Sequence, residues 1–182
     1  VAELDQEYAA PLALAMLRRN DRPSRLKALE VLEDLPYRSE VGRALTETGL
    51  GSADPEVRAR SSGVLAANGE KRAVPAIAKA FQVGADAAVG GALLAPLAVS
   101  LARLDPVVAV ERFRNWLRVG ARRPRGRDAV DPILQAVVEG LSVVPGADAA
   151  HLLRSIRSRA DSGLKQHCDR ALNAQKELAR RV

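Results

Sequence analysis

The sequence predicts an all-α protein, built as one continuous array of antiparallel helix pairs. Three observations predict it. Apolar residues recur at helical spacing along nearly the whole chain, and no period-two run is long enough for a strand. Aligned on Asp21, Asp54, Asp86, Asp131 and Asp161, the chain repeats a pattern of apolar stretches at intervals of about 30–45 residues, the range of helical repeats. Aromatic residues supply only 3% of 182 residues, so the core must come from Leu, Val and Ala, and Leu and Ala are good helix formers.

The elements follow in chain order. A lead helix is expected near 3–19, with Pro11 either starting or kinking it. Asp21-Arg22-Pro23 offers an N-cap and a first-turn proline for a helix over 23–35, followed by a second over 38–49. Asp54-Pro55-Glu56 repeats the signal for 55–68, paired with 71–83, where Val74, Ile77 and Phe81 form one apolar stripe. A helix over 87–104 should be kinked by Pro96, which lacks an N–H and crowds the preceding turn. Asp105-Pro106 starts 106–119, with the stripe Val110, Phe113 and Leu117. Asp131-Pro132 marks a helix over 130–144 carrying Leu134, Val138 and Leu141, paired with 147–159, which carries Leu152, Leu153 and Ile156. A final helix over 161–180 presents Leu164, Cys168 and Leu172 on one side. Gly51, Gly69, Gly84, Gly120 and Gly146 are the expected stops, and Gly90-Gly91 suits a close approach of two helices. The core should include Leu65, Ile77, Phe113, Leu117, Leu141 and Leu153.

One segment carries a family resemblance. Asp54-Pro55-Glu56-Val57-Arg58, then Leu65, Gly69, Ala73-Val74-Pro75 and Ile77, resembles the HEAT repeat of the short bacterial type, also found in phycobilisome-lyase-like proteins. The match is good over one repeat and degenerate over the others, which together cover nearly the whole chain. The resemblance implies a right-handed α-solenoid of about four to five helix pairs, with the second helix of each pair lining the concave side. The chain then reads as a single array, 1–182, with an N-terminal capping helix over 1–20, repeats over 21–160 and a C-terminal cap over 161–182. It has no initiator Met and no signal pattern, so the expectation is a cytoplasmic module of a larger bacterial protein. The uncharged run Ala87 to Ala102 is shorter than the roughly 20 residues a membrane span needs, and Gly90, Gly91 and Pro96 interrupt it.

Catalytic constellations are not visible. Cys168 is the single cysteine, and His151 and His167 are the two histidines, so multi-cysteine metal sites and internal disulfides are excluded. HEAT-like hydroxylases use His-Glu pairs on their helices, and this chain has none at ligand spacing. His167 and Cys168 are neighbours, so on a helix they point about 100° apart, a poor base and nucleophile. No Gly-rich phosphate loop with a lysine appears. HEAT-like DNA glycosylases share the basic charge, but they surround a cationic base with several aromatics, and Trp116 is the one Trp here. The expectation is a non-enzyme without a cofactor.

Charge is the informative feature. Lys and Arg number 28 against 22 Asp and Glu, a net +6. The second helices carry the excess, and Arg72, Lys79, Arg112, Arg118 and Arg154 avoid the apolar stripes. Arg122, Arg123, Arg125 and Arg127 lie between two helices in a stretch with Pro124 and Gly126, and read as a basic loop beside that surface. The preferred reading is a protein-interaction scaffold whose partner is acidic or phosphorylated. The alternative is a module that binds the nucleic-acid backbone through the same face. Neither reading involves a membrane or a small-molecule substrate. Trp116 is either an apolar anchor for the partner or an inter-helix packing residue.

Overall fold

A computed structural model describes residues 2–120 and 131–180 of the chain, and within them every regular element is helical. The elements are α1 (Ala2–Arg18), α2 (Arg22–Asp34), α3 (Ser39–Ala44, continued by a π-helical turn, Leu45–Gly49), α4 (Pro55–Ala67), α5 (Val74–Asp86, preceded by a 3-10 turn, Lys71–Ala73), α6 (Gly91–Leu104), α7 (Pro106–Gly120), α8 (Pro132–Ser142), α9 (Ala147–Arg159) and α10 (Ser162–Arg180). Of the expected pairs, α4 packs on α5, α6 on α7 and α8 on α9, whereas α3 and its π-helical turn pack mainly on α1 and α4, and α5 packs more extensively on α6 than on α4. We call α2, α4, α6 and α8 first-position helices and their partners second-position helices.

Aspartates start these helices by the same means. Asp21 accepts from the Ser24 amide, Asp54 from the Glu56 and Val57 amides, Asp105 from Val108, Asp131 from Ile133 and Asp161 from Leu164. Each carboxylate satisfies donors that the first turn leaves unpaired, and its charge suits the helix N-terminus. The amides hold the Asp54 carboxyl below its ordinary range despite partial burial.

The first-position helices pack on one another in sequence, α2 on α4, α4 on α6, α6 on α8, with α10 continuing the row against α8. Small residues close these seams. The hydroxyl of Ser100 on α6 lies 3.2 Å from that of Ser62 on α4. A Cβ added at Gly140 on α8 would stand 3.0 Å from Ala98 Cβ on α6 and 2.6 Å from Phe113 Cζ on α7. Gly91 lies as tightly against Gln135 and the Pro132 carbonyl, the close approach expected of the Gly90-Gly91 pair, made by one of the two. Between the second-position helices the filling is larger: Phe81 of α5 stacks on Trp116 of α7, centroids 3.9 Å apart, and Phe113 tilts against Trp116 at 5.6 Å. Leu65, Ile77, Phe113, Leu141 and Leu153 are all buried in the common core.

Several expectations need correction. Leu117 is only partly buried; its neighbour Trp116 takes the core position, so the stripe on α7 is rotated by one residue. Helix α6 begins at Gly91, not near 87, because Ala87–Gly90 is a turn. Gly84 does not stop a helix. It lies inside α5, where a Cβ would meet Leu94 Cδ2 at 2.7 Å. Gly146 stands before α9 as its N-cap, with φ 114. Gly69 does end α4: it adopts φ +66, and the Glu70 amide bonds back to the Leu65 carbonyl at 3.0 Å. The end of α5 uses the same closure, Val89 N to Gly84 O at 2.9 Å, but Ala88 occupies the left-handed position with φ 54. A Cβ crowds the carbonyl in that conformation, at a cost of about 1–2 kcal/mol. Ala88→Gly should therefore raise stability by about 0.5–1 kcal/mol after the unfolded chain's extra freedom is subtracted. Urea unfolding measures it, and a loss of stability would contradict the left-handed turn.

The two ends of the row differ. Helix α10 buries Leu164, Cys168, Ala171 and Gln175 and exposes Lys165, Asp169, Arg170, Lys176 and Glu177, the polar outer face that a terminal element needs. The Gln175 amide group donates to the Leu141 and Val144 carbonyls at 2.8 and 3.0 Å, tying α10 to the open end of α8. Helix α1 buries Ala10, Ala13 and Leu17 against α2 and α3, yet its other side exposes Tyr8, Pro11, Leu12 and Ala15.

Candidate interaction surface

The expected cations are displayed by the second-position helices. Glu70 accepts from the Arg72 amide and so starts the short turn that carries Arg72. Along α5 the buried stripe Val74, Ile77 and Phe81 leaves Lys79 on the solvent side. On α7, burial of Ala109, Val110, Phe113 and Trp116 turns Arg112 and Arg118 outward. On α9, burial of Ala149, Leu153 and Ile156 does the same for Arg154. All five are exposed, and among the described residues none has an ion pair or a side-chain hydrogen bond.

The first-position helices treat their arginines differently. Arg22 of α2 bonds Asp54 at 2.8 Å and also Glu56. Arg60 of α4 grips both oxygens of Glu33 on α2, at 3.0–3.2 Å, and that bond, with the nearby carboxylates, holds its guanidinium above its ordinary value although burial opposes it. Arg58 is buried, and its Nη1 donates to the Ser52 and Ala53 carbonyls at 2.7 and 2.9 Å. Arg25 bonds the Arg19 carbonyl and the Ser52 hydroxyl. Arg22 and Arg60 tie α2 to α4, and Arg25 and Arg58 hold the segment before α4, whereas Arg72, Lys79, Arg112, Arg118 and Arg154 of the second-position side make no such bond among the described residues. Two cations of that side are also committed: Arg114 faces Asp148 at 3.5 Å, and Arg157 bonds Asp169 at 2.6 Å.

The free cations do not form a single file. Arg112 and Arg118 stand roughly 120° apart around α7, with Glu111 on the sector between them. The basic loop residues Arg122, Arg123, Arg125 and Arg127 lie outside the described residues. Trp116 is 9% exposed and stacked on Phe81, so it packs helices together and is no surface anchor.

No protein-family model, no curated protein and no solved structure matches this chain. The surface's own geometry is what bears on its role.

That geometry includes features that charge counting did not find. A groove of about 470 Å³ runs between α4 and α6, floored by Ala59, Gly63, Val64, Ala67, Leu93 and Pro96 and edged by Glu33, Glu56 and Arg60. Two smaller grooves, about 270 and 260 Å³, lie side by side between α1 and α3 and share Leu14, Arg18 and Glu40. The exposed face of α1 was visible in the sequence as Tyr8, Pro11, Leu12 and Ala15, spaced i, i+3, i+4, i+7, opposite the first stripe.

Elsewhere the chemistry is quiet. Burial pushes the Cys168 thiol up to about 11, helped by Asp169, so it stays protonated and poorly nucleophilic at neutral pH. His167 turns toward Glu139 on α8, Nδ1 to Oε1 3.7 Å. Among the described residues no three His, Cys, Asp or Glu gather as a metal site, and no helix is long and apolar enough to cross a membrane.

Proposed function

We propose that this chain is an α-solenoid module of the HEAT type that serves as a non-catalytic scaffold for a protein partner. The observation that carries the reading is the division of labour among its cations. Arg22, Arg25, Arg58 and Arg60 of α2 and α4 are spent on internal bonds, while Arg72, Lys79, Arg112, Arg118 and Arg154 are exposed without a carboxylate. Unpaired guanidinium and ammonium groups favour an acidic or phosphorylated partner, since they can bond carboxylate or phosphate oxygens without first breaking a bond of their own. A protein partner fits better than single-stranded nucleic acid, because Phe81, Phe113 and Trp116 are buried and offer no stacking platform.

The seams bear on shape. Small residues bring the first-position helices close, while stacked rings hold α5 and α7 apart. A two-layered array bends toward its narrower layer, so we place the concave side on the first-position helices, the reverse of what the resemblance implies. The free cations then lie on the outer layer. An experimental structure in which the second-position helices are the closer set would reverse this assignment.

The test reverses charge on one layer at a time. Arg72, Lys79, Arg112 and Arg118 are changed together to Glu, and Arg103 with Arg170 serve as exposed controls on the other helices. Arg25 and Arg60 are unsuitable controls because they hold Ser52 and Glu33. Partners captured from a native lysate are identified by mass spectrometry. The expected result is an acidic partner retained by the controls and lost by the fourfold variant. Loss only in the controls would overturn the docking surface.

A further inference from the structure

We propose that the exposed face of α1 is a self-association surface, covered by α1 of a second copy of this chain in a two-fold dimer. The starting observation is that α1 is apolar all round from Tyr8 to Leu17. A helix of that kind belongs inside a protein. Its first side, Ala10, Ala13 and Leu17, is buried against α2 and α3. Its second side leaves Tyr8 74% and Leu12 63% exposed, two of the four exposed large apolar side chains among the described residues. The opposite end of the row, α10, has a polar outer face, so this exposure is specific to one end.

The neighbourhood of that face selects the occupant. The ridge of Tyr8 and Leu12 runs beside the paired α1–α3 grooves, whose floor is Ala10, Pro11, Leu14, Val41 and Ala44. A ridge and a groove on one surface are what a two-fold contact requires, because each copy's ridge can fill the other's groove. The rim carries both signs: Arg18, Arg38 and Arg43 beside Glu40 and Glu47. None of these five has an ion-pair partner among the described residues. A foreign partner of one dominant charge would meet like charge somewhere on this rim. A second copy related by a two-fold axis brings the same mixture in reversed order, so opposite signs can face each other across the axis. Antiparallel α1 helices crossing near Leu12 would lay Tyr8 of each copy over the Leu14 and Arg18 end of the other. This surface is separate from the cations of α5, α7 and α9, so its failure would leave the scaffold reading standing.

Sedimentation equilibrium on the whole chain tests the proposal. The native protein should be a dimer, and Leu12→Glu should weaken the dimer by at least about 30-fold, the effect of losing one central hot spot. Leu12 is exposed in the single chain, so the variant should keep its helical circular dichroism and its melting temperature as a monomer. Val107→Glu, at an equally exposed apolar site on α7, should leave the dimer intact. In addition, Leu12→Cys should form a disulfide-linked dimer on mild oxidation, with little background from the buried Cys168. A native protein that remains monomeric at its highest soluble concentration would overturn the proposal. So would a dimer that survives Leu12→Glu, because its interface would then lie elsewhere.

Discussion

Phe113→Ala should lower the unfolding free energy by about 3–5 kcal/mol, the range for removing a fully buried aromatic side chain. Phe113 is 0% exposed and stands where three helices meet. Its ring belongs to α7, presses on Gly140 of α8 and leans on Trp116, which stacks on Phe81 of α5. Domains of this size are stable by only about 5–15 kcal/mol, so the loss is a large fraction of the whole. The same contact predicts a second result. Gly140→Ala should cost about 1–3 kcal/mol, because the new methyl lands on the Phe113 ring and on Ala98. Phe113→Leu shortens the side chain at that point, so the double variant should be more stable than the sum of the single losses. Denaturant unfolding of the four proteins closes the cycle. Strict additivity would mean that the two residues do not touch.

Arg58→Ala should cost about 2–5 kcal/mol, for a different reason. The Arg58 guanidinium is buried in α4 and reaches back to the chain before its own helix, closing the Ser52 and Ala53 carbonyls. Burial pulls it below its ordinary value, and the nearby Asp54 carboxylate opposes that. Truncation leaves two carbonyls without a donor and opens a cavity beside Gly84. Arg58→Met separates the two losses. It refills most of the volume and removes a costly buried charge, but the carbonyls stay unpaired, so it should lose about 1–3 kcal/mol. If Met were as stable as Arg, the hydrogen bonds would contribute nothing net. Thermal and urea unfolding of both variants measure the difference.

Helix class and order were legible because their causes are local. Asp21, Asp54, Asp105 and Asp131 cap the helices they were expected to start, since an aspartate two or three residues ahead of unpaired amides has few other options. The misplaced features have tertiary causes. Gly84 looked like a stop, but it is kept small by Leu94 of the next helix, which is distant until the chain folds. Ala88 ends α5 where a glycine would be expected, so that boundary carried no signal. Trp116 and Leu117 compete for one core position, and the stack with Phe81 decides it. The exposure of Lys79 and Arg112 followed from helical periodicity. Which arginines were already committed did not, because the bond between Arg60 and Glu33 joins α4 to α2, as does that between Arg22 and Asp54 at the start of α4.

In the proposed function, Arg72, Lys79, Arg112 and Arg118 recognise an acidic protein segment. The direct measurement is a titration of a fluorescent glutamate-rich peptide, with a labelled duplex DNA in parallel, against the native chain and the fourfold variant of Arg72, Lys79, Arg112 and Arg118. The peptide should bind the native chain, added salt should weaken it, and the variant should bind it at least about tenfold more weakly, some 1.4 kcal/mol. Peptide binding unchanged in the variant, or duplex binding that is tighter and falls steeply with salt, would contradict it.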